Sequence, residues 1–376
     1  MSADPRTSHA SQVRIHLARL TGNLRLLQDL AGERPLWPAI KANAYGHGAA
    51  LVARHLVGLG YGTLCVAHAG EALELKQAGV DATFVVLSAA LPESAEAFVE
   101  HGLEPVVCTL EMLEALSRAA GRARRRVAVH VKVDTGMGRI GIRPGEVAGF
   151  LARCRELPGL RVRGLMSHFS RADEADKACS REQLEAFRRV AEATRAQVEV
   201  RHLANSAALF DLPESLFDAA RPGIAIYGLA PSPTLANPRV RELRPVLEWT
   251  TRVTFLKEVA AGTGLSYGHA FHTARPSLIA TIPLGYGDGL ARSLSNRLTL
   301  LVGGTRCPQV GRITMDQSLV DVTALRGRVA PGDEVVVIGR QGGEELTADE
   351  LAATLGTIHY EIVTAIARRV PRVAVE

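Results

Sequence analysis

The sequence is poor in cysteine, in aromatic residues and in long apolar runs, and each shortage excludes a class of protein. Its five cysteines are Cys65, Cys108, Cys154, Cys179 and Cys307, and no two of them form a CxxC pair. This spacing argues against a zinc site, an iron–sulfur cluster or a disulfide framework, and it favours a reducing compartment. The chain contains no run of 18 apolar residues, so no membrane span is predicted.

The first twelve residues, MSADPRTSHASQ, lack an apolar core, so we expect a flexible N-terminus and no secretory signal. Together these features predict a cytoplasmic protein. The net charge is +5, and basic and acidic residues are interspersed, which argues against nucleic acid as a partner. The densest basic run, RARRR at residues 122–126, is typical of a solvated helix end.

Between residues 13 and 240, apolar strand-like runs alternate with amphipathic helical stretches. The eight strand candidates lie at residues 36–42, 61–67, 82–89, 103–108, 127–134, 162–169, 198–204 and 221–228. Eight strand–helix repeats predict a (β/α)8 barrel of the TIM type, an α/β fold. A doubly wound sheet is the main alternative, but the GxGxxG that usually follows its first strand is missing.

Residues 241–376 differ in pattern, because strand-like runs follow one another with Gly-rich turns and without helices between them. This pattern predicts a C-terminal, mainly antiparallel β domain. The early run QVRIHLARL alternates apolar residues at Val13, Ile15 and Leu17. We therefore expect residues 13–19 either to belong with the barrel or to pair with this distant domain.

In a barrel of this type the functional groups lie where the strands end. The residues at those positions are Lys41, Tyr45, Lys132, Arg139, His168, Asn205, Ser206, Arg221, Gly223 and Ile224. A lysine at a buried strand end loses hydration, so its pKa falls or its amine enters a covalent bond. An imine to an aldehyde cofactor is such a bond, and pyridoxal 5'-phosphate (PLP) is the commonest aldehyde of this kind. A lysine whose amine extends to solvent is the simpler alternative.

The segments ANSAA and RPGI offer small residues and N–H groups at the ends of the last two strands. This is the usual place for a phosphate group in such a barrel. An ordinary capped helix start explains ANSAA equally well.

Seven motifs, taken in order, resemble those of the alanine racemases, which are PLP enzymes of fold type III. They are AIKANAYGHG, KVDTGMGRIG, HLANSAA, RPGIAIYG, GLSYG, IPLGYGDG and GRITMDQ. The resemblance extends from about residue 36 to the final RRVPRV. It implies an isomerase that interconverts L-alanine and D-alanine and supplies D-alanine for peptidoglycan synthesis.

The resemblance also implies a two-base mechanism. Lys41 would hold PLP as an imine and then move the α-proton of the D-enantiomer, while Tyr267 would serve the L-enantiomer. A phenol has a reference pKa of about 10, so His168 and Arg221 would assist it as a hydrogen-bonded chain. In the family the second base comes from the partner subunit, so a homodimer with shared active sites is implied.

Binding roles follow from the same resemblance. Arg221 would face the pyridine nitrogen of PLP and, because an arginine keeps its proton, leave that nitrogen unprotonated. The residues that would bind the phosphate group are Tyr45, Ser206, Gly223, Ile224 and Tyr360. Arg139 and the backbone N–H of Met315 would bind the substrate carboxylate, and Tyr286 would close the pocket. The residues that would line an access corridor are Arg312, Asp173, Arg292 and Ile358.

Some members of the family carry a carbamylated lysine, which the resemblance places at Lys132, where the new anion would steady Arg139. Two departures from the family pattern are visible. Thr314 stands where a cysteine is common, and GYGDG replaces the more familiar GYADG. Neither change removes a residue with an implied catalytic role.

Three alternative functions remain at this point. The first is a broad-specificity, serine or lysine racemase on the same scaffold. The second is a fold-type III PLP decarboxylase, but its catalytic cysteine belongs to a motif that Cys307 does not have around it. The third is a non-catalytic PLP-binding barrel, a class that lacks the C-terminal β domain.

Overall fold

The computed structural model describes residues 10–376, which divide into two units. The barrel unit contains residues 19–44 and 49–244, and the β unit contains residues 10–18, 45–48 and 245–376. The predicted flexible segment falls mainly on residues 1–9, which lie outside the described residues. Ser11 is buried in the β unit, where its Oγ donates to Thr251 Oγ1 at 2.7 Å.

The barrel unit is built on six parallel strands in the order of the sequence. They are β2 (Thr63–Val66), β3 (Thr83–Val86), β4 (Glu104–Val107), β5 (Val127–Lys132), β6 (Leu160–Met166) and β7 (Val200–His202). The helices are α1 (Leu17–Ala31), α2 (Lys41–Tyr45), α3 (Ala49–Gly58), α4 (Ala69–Gln77), α5 (Ala95–Glu100), α6 (Leu110–Ala123), α7 (Val147–Glu156), α8 (Ala178–Ala193) and α9 (Ser206–Asp211). β2 and β3 are apolar after their first threonine, because both of their faces are covered. β4 to β7 also contain polar residues, among them Glu104, His130 and His202.

Two short segments close the barrel between β7 and β2. The parallel bridges that join them are Leu36–Ala220, Ala39–Cys65 and His202–Ala219. The predicted (β/α)8 barrel followed by a mainly antiparallel domain is therefore confirmed. The prediction of an eighth strand at residues 221–228 is wrong. Pro222 has no N–H to donate, and residues 224–227 form a 3-10 turn instead.

Capping residues and apolar periodicity explain the helices of the barrel unit, as α6 illustrates. α6 begins after Thr109, whose Oγ1 accepts a hydrogen bond from the N–H of Met112 at 3.3 Å. Leu113 and Leu116 recur at helical spacing and are fully buried against the sheet. α2 is the exception, because it is a left-handed turn with φ values of 51° to 55° at residues 42–44.

The β unit contains one large sheet. Its strands are β1 (Gln12–His16), β8 (Leu247–Arg252), β9 (Phe255–Val259), β12 (Ser277–Ile282), β13 (Thr299–Val302), β14 (Thr305–Val310), β15 (Ser318–Asp321), β16 (Glu334–Gln341), β17 (Glu344–Leu346) and β18 (Arg372–Val375). The strand order is β18-β1-β8-β16-β13-β14-β15-β12-β9, with β17 beside β16. β10 (Gly264–Leu265) and β11 (Phe271–His272) form a separate hairpin.

Two early segments of the chain belong to the β unit. β1 pairs in parallel with β18 and antiparallel with β8, so Val13 and Ile15 are buried in this sheet. Residues 45–48 also belong to it, and the Nε of Arg372 donates to the carbonyl of Gly46 at 2.9 Å. A Cβ on Gly46 would lie 1.8 Å from the carbonyl oxygen of Val363, so only glycine fits there.

The β unit also contains α10 (Ala348–Leu355) and α11 (His359–Ala365). The expectation of strands without helices is wrong for this stretch. The Oγ1 of Thr347 accepts from the N–H of Glu350 at 3.1 Å, and Leu351 and Ala352 form the buried face.

Over residues 10–376, no helix combines the length and the apolar character that crossing a bilayer requires.

Candidate active site

Basic side chains converge at the strand ends of the barrel unit. Lys41, Lys132, Arg139 and Arg221 each act electrostatically on His168. Burial, followed by these four positive charges, holds the pKa of His168 well below its ordinary value. The ring is therefore neutral near pH 7 and is available as an acceptor as well as a donor.

Lys41 begins the left-handed turn at the end of the first barrel segment. Burial lowers the pKa of its amine, the charge of Arg139 lowers it further, and Glu71 acts in the opposite direction. Glu71 also holds the turn in place, since its two oxygens accept from the N–H groups of Ala42 at 2.6 Å and Ala67 at 2.7 Å. Left-handed backbone is costly for residues other than glycine, so the turn depends on such fixed partners.

Lys132 is the last residue of β5 and is only 2% exposed. Its Nζ is one of the few buried polar atoms that have no hydrogen-bond partner among the described residues. Burial, with the charges of Arg221 and Arg139, lowers the pKa of Lys132 to about 7. A buried amine without a partner is unusual, because the lost hydration is normally replaced by a hydrogen bond.

Arg139 lies in an exposed loop that is folded around one carboxylate. The Oδ1 of Asp134 accepts from the N–H groups of Gly136 at 3.0 Å and Gly138 at 3.1 Å. Gly141 is also required, since a Cβ there would lie 2.6 Å from the N–H nitrogen of Asp134. The glycines of the TGMGRIG run thus fix the loop that carries the arginine.

Arg221 is buried and hydrogen-bonded on several sides. Its two terminal nitrogens contact the Nδ1 of His202 at 2.7 Å, the carbonyl of Ser167 at 2.8 Å and the carbonyl of Leu203 at 3.1 Å. Burial lowers the pKa of Arg221 to about 10. Arg221 thus contacts the imidazole of His202, whereas the sequence predicted a hydrogen-bonded chain of Arg221 with His168.

The predicted phosphate-binding residues of the barrel unit lie side by side. The hydroxyl of Ser206 accepts from the N–H of Gly223 at 2.8 Å and from that of Ala225 at 3.4 Å. Asn205 caps α9 by accepting from the N–H of Ala208 at 3.0 Å. Ser206 and Ile224 therefore lie at the starts of two short helical turns that meet at one hydroxyl.

Most of the remaining predicted residues lie in the β unit. The rings of Tyr45 and Tyr360 have their centroids 6.2 Å apart. Tyr267 begins a 3-10 turn and is 70% exposed. The hydroxyl of Ser266 donates to the carbonyl of Arg312 at 2.7 Å, which joins the GLSYG and GRITMDQ segments.

Tyr286 and Met315 lie next to each other for a steric reason. The N–H of Tyr286 donates to the carbonyl of Thr314 at 2.9 Å, and that of Gly287 donates to the carbonyl of Met315 at 2.8 Å. A Cβ on Gly285 would lie 2.2 Å from the Thr314 carbonyl oxygen, so the two loops approach too closely for any other residue. Tyr286 and Met315 are 42% and 53% exposed.

The four predicted corridor residues are exposed: Asp173 in the barrel unit, and Arg292, Arg312 and Ile358 in the β unit.

Family models match almost the whole chain. The alanine racemase N-terminal domain matches residues 15–231, and the alanine racemase C-terminal domain matches residues 246–374. The chain belongs to the alanine racemase family. Members of this family are isomerases, so the predicted enzyme class is confirmed.

Individual relatives agree with this assignment. The chain is 45% identical to an alanine racemase of Symbiobacterium thermophilum, covering 95% of both chains. It is 42% identical to one of Halothermothrix orenii, covering 98% of this chain and 97% of the relative. Among solved structures, an alanine racemase of Clostridium difficile 630 matches with a TM-score of 0.93 at 33% identity, covering 98% of this chain and 96% of that one.

Sequence reasoning missed four residues that surround the predicted site: Glu71, Glu104, His130 and His202. A signal for one of them was present. His130 and Lys132 are two apart in a strand and so share one face, which in a barrel is its interior. The other three depend on long-range pairing that no local pattern encodes.

Proposed function

We propose that this chain is a PLP-dependent racemase that interconverts L-alanine and D-alanine. One observation carries the proposal: a lysine with a lowered pKa lies among Arg139, Arg221 and His168 at the strand ends of the barrel unit. A cationic site with an amine that gives up its proton readily suits an anionic aldehyde cofactor and an amino-acid substrate.

The residues of the chain fit PLP chemically. Lys41 would hold it covalently, since lowering the pKa of an amine increases its neutral, nucleophilic fraction. Ser206 and the N–H groups of Gly223 and Ile224 would bind the phosphate group, together with the phenols of Tyr45 and Tyr360. When bound, PLP supplies an electron-withdrawing ring that makes the α C–H of the substrate acidic.

Arg221 would lie against the pyridine nitrogen. Its guanidinium can only donate hydrogen bonds, so the ring nitrogen would accept one and stay unprotonated. Held this way by Arg221, PLP would withdraw electrons less strongly, which would favour proton return to the α-carbon over side reactions.

Racemisation requires a proton donor and acceptor on each side of the α-carbon. Lys41 would act on the D-enantiomer and the Tyr267 phenol of a second copy would act on the L-enantiomer, with His168 as its helper. The 70% exposure of Tyr267 supports this assignment, because a catalytic phenol must be covered to function and here another surface is needed to cover it. The active form would then be a homodimer.

Arg139 and the N–H of Met315 would bind the substrate carboxylate, and Tyr286 would close the pocket. Arg312, Asp173, Arg292 and Ile358 would line the approach and limit the length of the substrate side chain. The supply of D-alanine for peptidoglycan in the cytoplasm is the corresponding cellular role.

Lys132 would carry a carbamate. Its neutral amine can add CO2 to give an N-carboxylate and release one proton. The pKa of about 7 and the missing hydrogen-bond partner both favour this addition. The product would place a negative charge near Arg139, whose own charge contributes to the lowered pKa of Lys132.

The proposal is tested with the purified full chain and added PLP. We expect a visible absorption band from lysine-bound PLP and conversion of each alanine enantiomer into the other. In deuterated water, the product should carry deuterium at the α-carbon. Faster turnover of serine or lysine than of alanine, or absence of the band, would contradict the proposal.

A further inference from the structure

A row of polar side chains crosses the interior of the barrel unit, where apolar layers are the rule. It begins at Arg221, whose terminal nitrogen lies 2.7 Å from the Nδ1 of His202. The Nε2 of His202 lies 2.9 Å from the Nδ1 of His130, and the Nε2 of His130 lies 2.9 Å from a carboxylate oxygen of Glu104. Arg163 completes the row by donating to Glu104 at 2.6 Å.

The direction of every hydrogen bond in this row is fixed by its ends. Arg221 can only donate, so the Nδ1 of His202 accepts and its Nε2 carries the proton. The Nδ1 of His130 must then accept, which leaves its Nε2–H to donate to Glu104. Both imidazoles are therefore neutral and in the same tautomer, in agreement with burial lowering the pKa of each.

The surrounding residues are shaped to hold the row. A Cβ on Gly164 would lie 1.9 Å from the Nδ1 of His130, so this position must be glycine. The pairing of β5 with β6 shifts between Val129 and His130, which places Arg163 as the extra residue of a bulge. Trp37 contacts both imidazoles edge-on, with ring centroids 5.9 Å from His130 and 4.9 Å from His202.

The row also connects charges that would otherwise be isolated. Arg221 is 4% exposed, and its other recorded partners are two neutral carbonyl groups. Burial acts to raise the pKa of Glu104, but the hydrogen bonds and charges of His130 and Arg163 outweigh it and hold that pKa below its usual value. Glu104 is thus an anion at one end of the row and Arg221 a cation at the other.

We propose that Glu104, held by Arg163, is a positioning residue that acts through His130 and His202 to orient the guanidinium of Arg221. The carboxylate of Glu104 favours the Nε2–H tautomer of His130, because it accepts that proton. The Nδ1 of His130 is then an acceptor and favours the Nε2–H tautomer of His202. The Nδ1 of His202 is left as the imidazole acceptor for Arg221. The proposal rests on the proposed function in one respect, namely that Arg221 faces PLP.

The first test needs no cofactor. Full-length protein with ¹⁵N-labelled histidine is compared with the double variant Glu104→Leu/Arg163→Met, which removes the acceptor without leaving a buried charge unpaired. In the unsubstituted protein both imidazoles should show the Nε2–H tautomer by NMR. In the double variant we expect mixed tautomers at His130 and His202, and unchanged signals there would overturn the proposal.

Two single variants sharpen the result. Glu104→Gln keeps an oxygen acceptor and should retain the tautomers. Asp211→Asn is the matched control, because Asp211 is an equally enclosed carboxylate paired with Lys177 at 3.1 Å outside the row, and it should leave both signals unchanged. Should the double variant not fold, Glu104→Asp, which withdraws the acceptor by one methylene, must shift the His130 and His202 signals for the proposal to stand.

The second test uses PLP-loaded protein. The double variant should lower kcat for alanine racemisation by roughly tenfold, as loss of a partner that orients a functional group commonly does, with a much smaller change in KM. Glu104→Gln should recover most of the loss. An unchanged kcat in the double variant would refute the positioning role, whereas inactive unsubstituted protein with the expected NMR tautomers would refute only the proposed function.

Discussion

The strand-end residues of the barrel unit and the loop residues of the β unit differ in how completely the chain surrounds them. Lys132, His202 and Arg221 are buried, and burial shifts the pKa of each. Tyr267 and Met315 are more than half exposed. The carbonyl of Met315 accepts from the N–H of Gly287 and from the guanidinium of Arg369. The barrel unit thus encloses its candidate side chains by itself, whereas these two candidate side chains of the β unit stay exposed.

The largest effect is expected for Lys41→Ala. Loss of the amine that would bind PLP and move a proton should reduce racemisation by at least about 10⁴-fold. The absorption band of lysine-bound PLP should disappear as well. Lys76→Ala, which removes a lysine from α4 near the ring of Phe84, is the control and should keep both activity and band.

Tyr267→Phe addresses the β unit side of the comparison. Removing the phenol oxygen should slow α-proton exchange from L-alanine by about 10²–10⁴-fold, the usual contribution of a general acid–base group. Exchange from D-alanine in deuterated water should be affected far less. Equal losses for the two enantiomers would contradict the assignment of Lys41 and Tyr267 to opposite faces.

Gly164→Ala tests how tightly the barrel interior is filled. The new methyl group would overlap the ring of His130, so the free energy of unfolding should fall by about 1–3 kcal/mol or more. Gly149→Ala, on the exposed face of α7 with no atom within 4 Å of the new Cβ, should instead raise it by about 0.4–1 kcal/mol. Denaturant unfolding of both variants measures the two changes. A stability of Gly164→Ala equal to that of the unsubstituted protein would contradict the prediction.

The last prediction concerns Lys132 and the dependence of stability on pH. Its pKa is about 7 in the folded chain and about 10.4 when unfolded, so the unfolded chain binds more protons between these values. The free energy of unfolding contributed by this residue should therefore rise with pH from about 7 to about 10. Lys132→Met should flatten the rise in CO2-free buffer, and a slope equal to that of the unsubstituted protein would show that Lys132 is not the source.

Sequence patterns predicted much of this molecule because they depend on local rules. Strands β2 to β7 follow from apolar runs that alternate with helical stretches. Lys41, Arg139 and Ser206 are predicted as site residues because they lie where such runs end or in the loops that follow. The eighth strand was misplaced by a few residues, since an apolar run after Pro222 satisfies the same pattern as a strand. Helices α10 and α11 were missed because the strand-like runs before them suggested that the sheet continued to the end of the domain.

By itself, the sequence determined the architecture, the family and which kinds of side chain the candidate site contains. Periodicity, strand ends and motif order are properties of the linear chain. Only the tertiary structure decided that β1 joins the distant β unit, that Glu71 holds the turn after Lys41, and that Glu104 connects to Arg221 through two imidazoles. These contacts join residues far apart in the chain, and their geometry depends on strand register, on a bulge at Arg163 and on the space left by Gly164. Such features arise from packing in three dimensions and leave no periodic trace in the sequence.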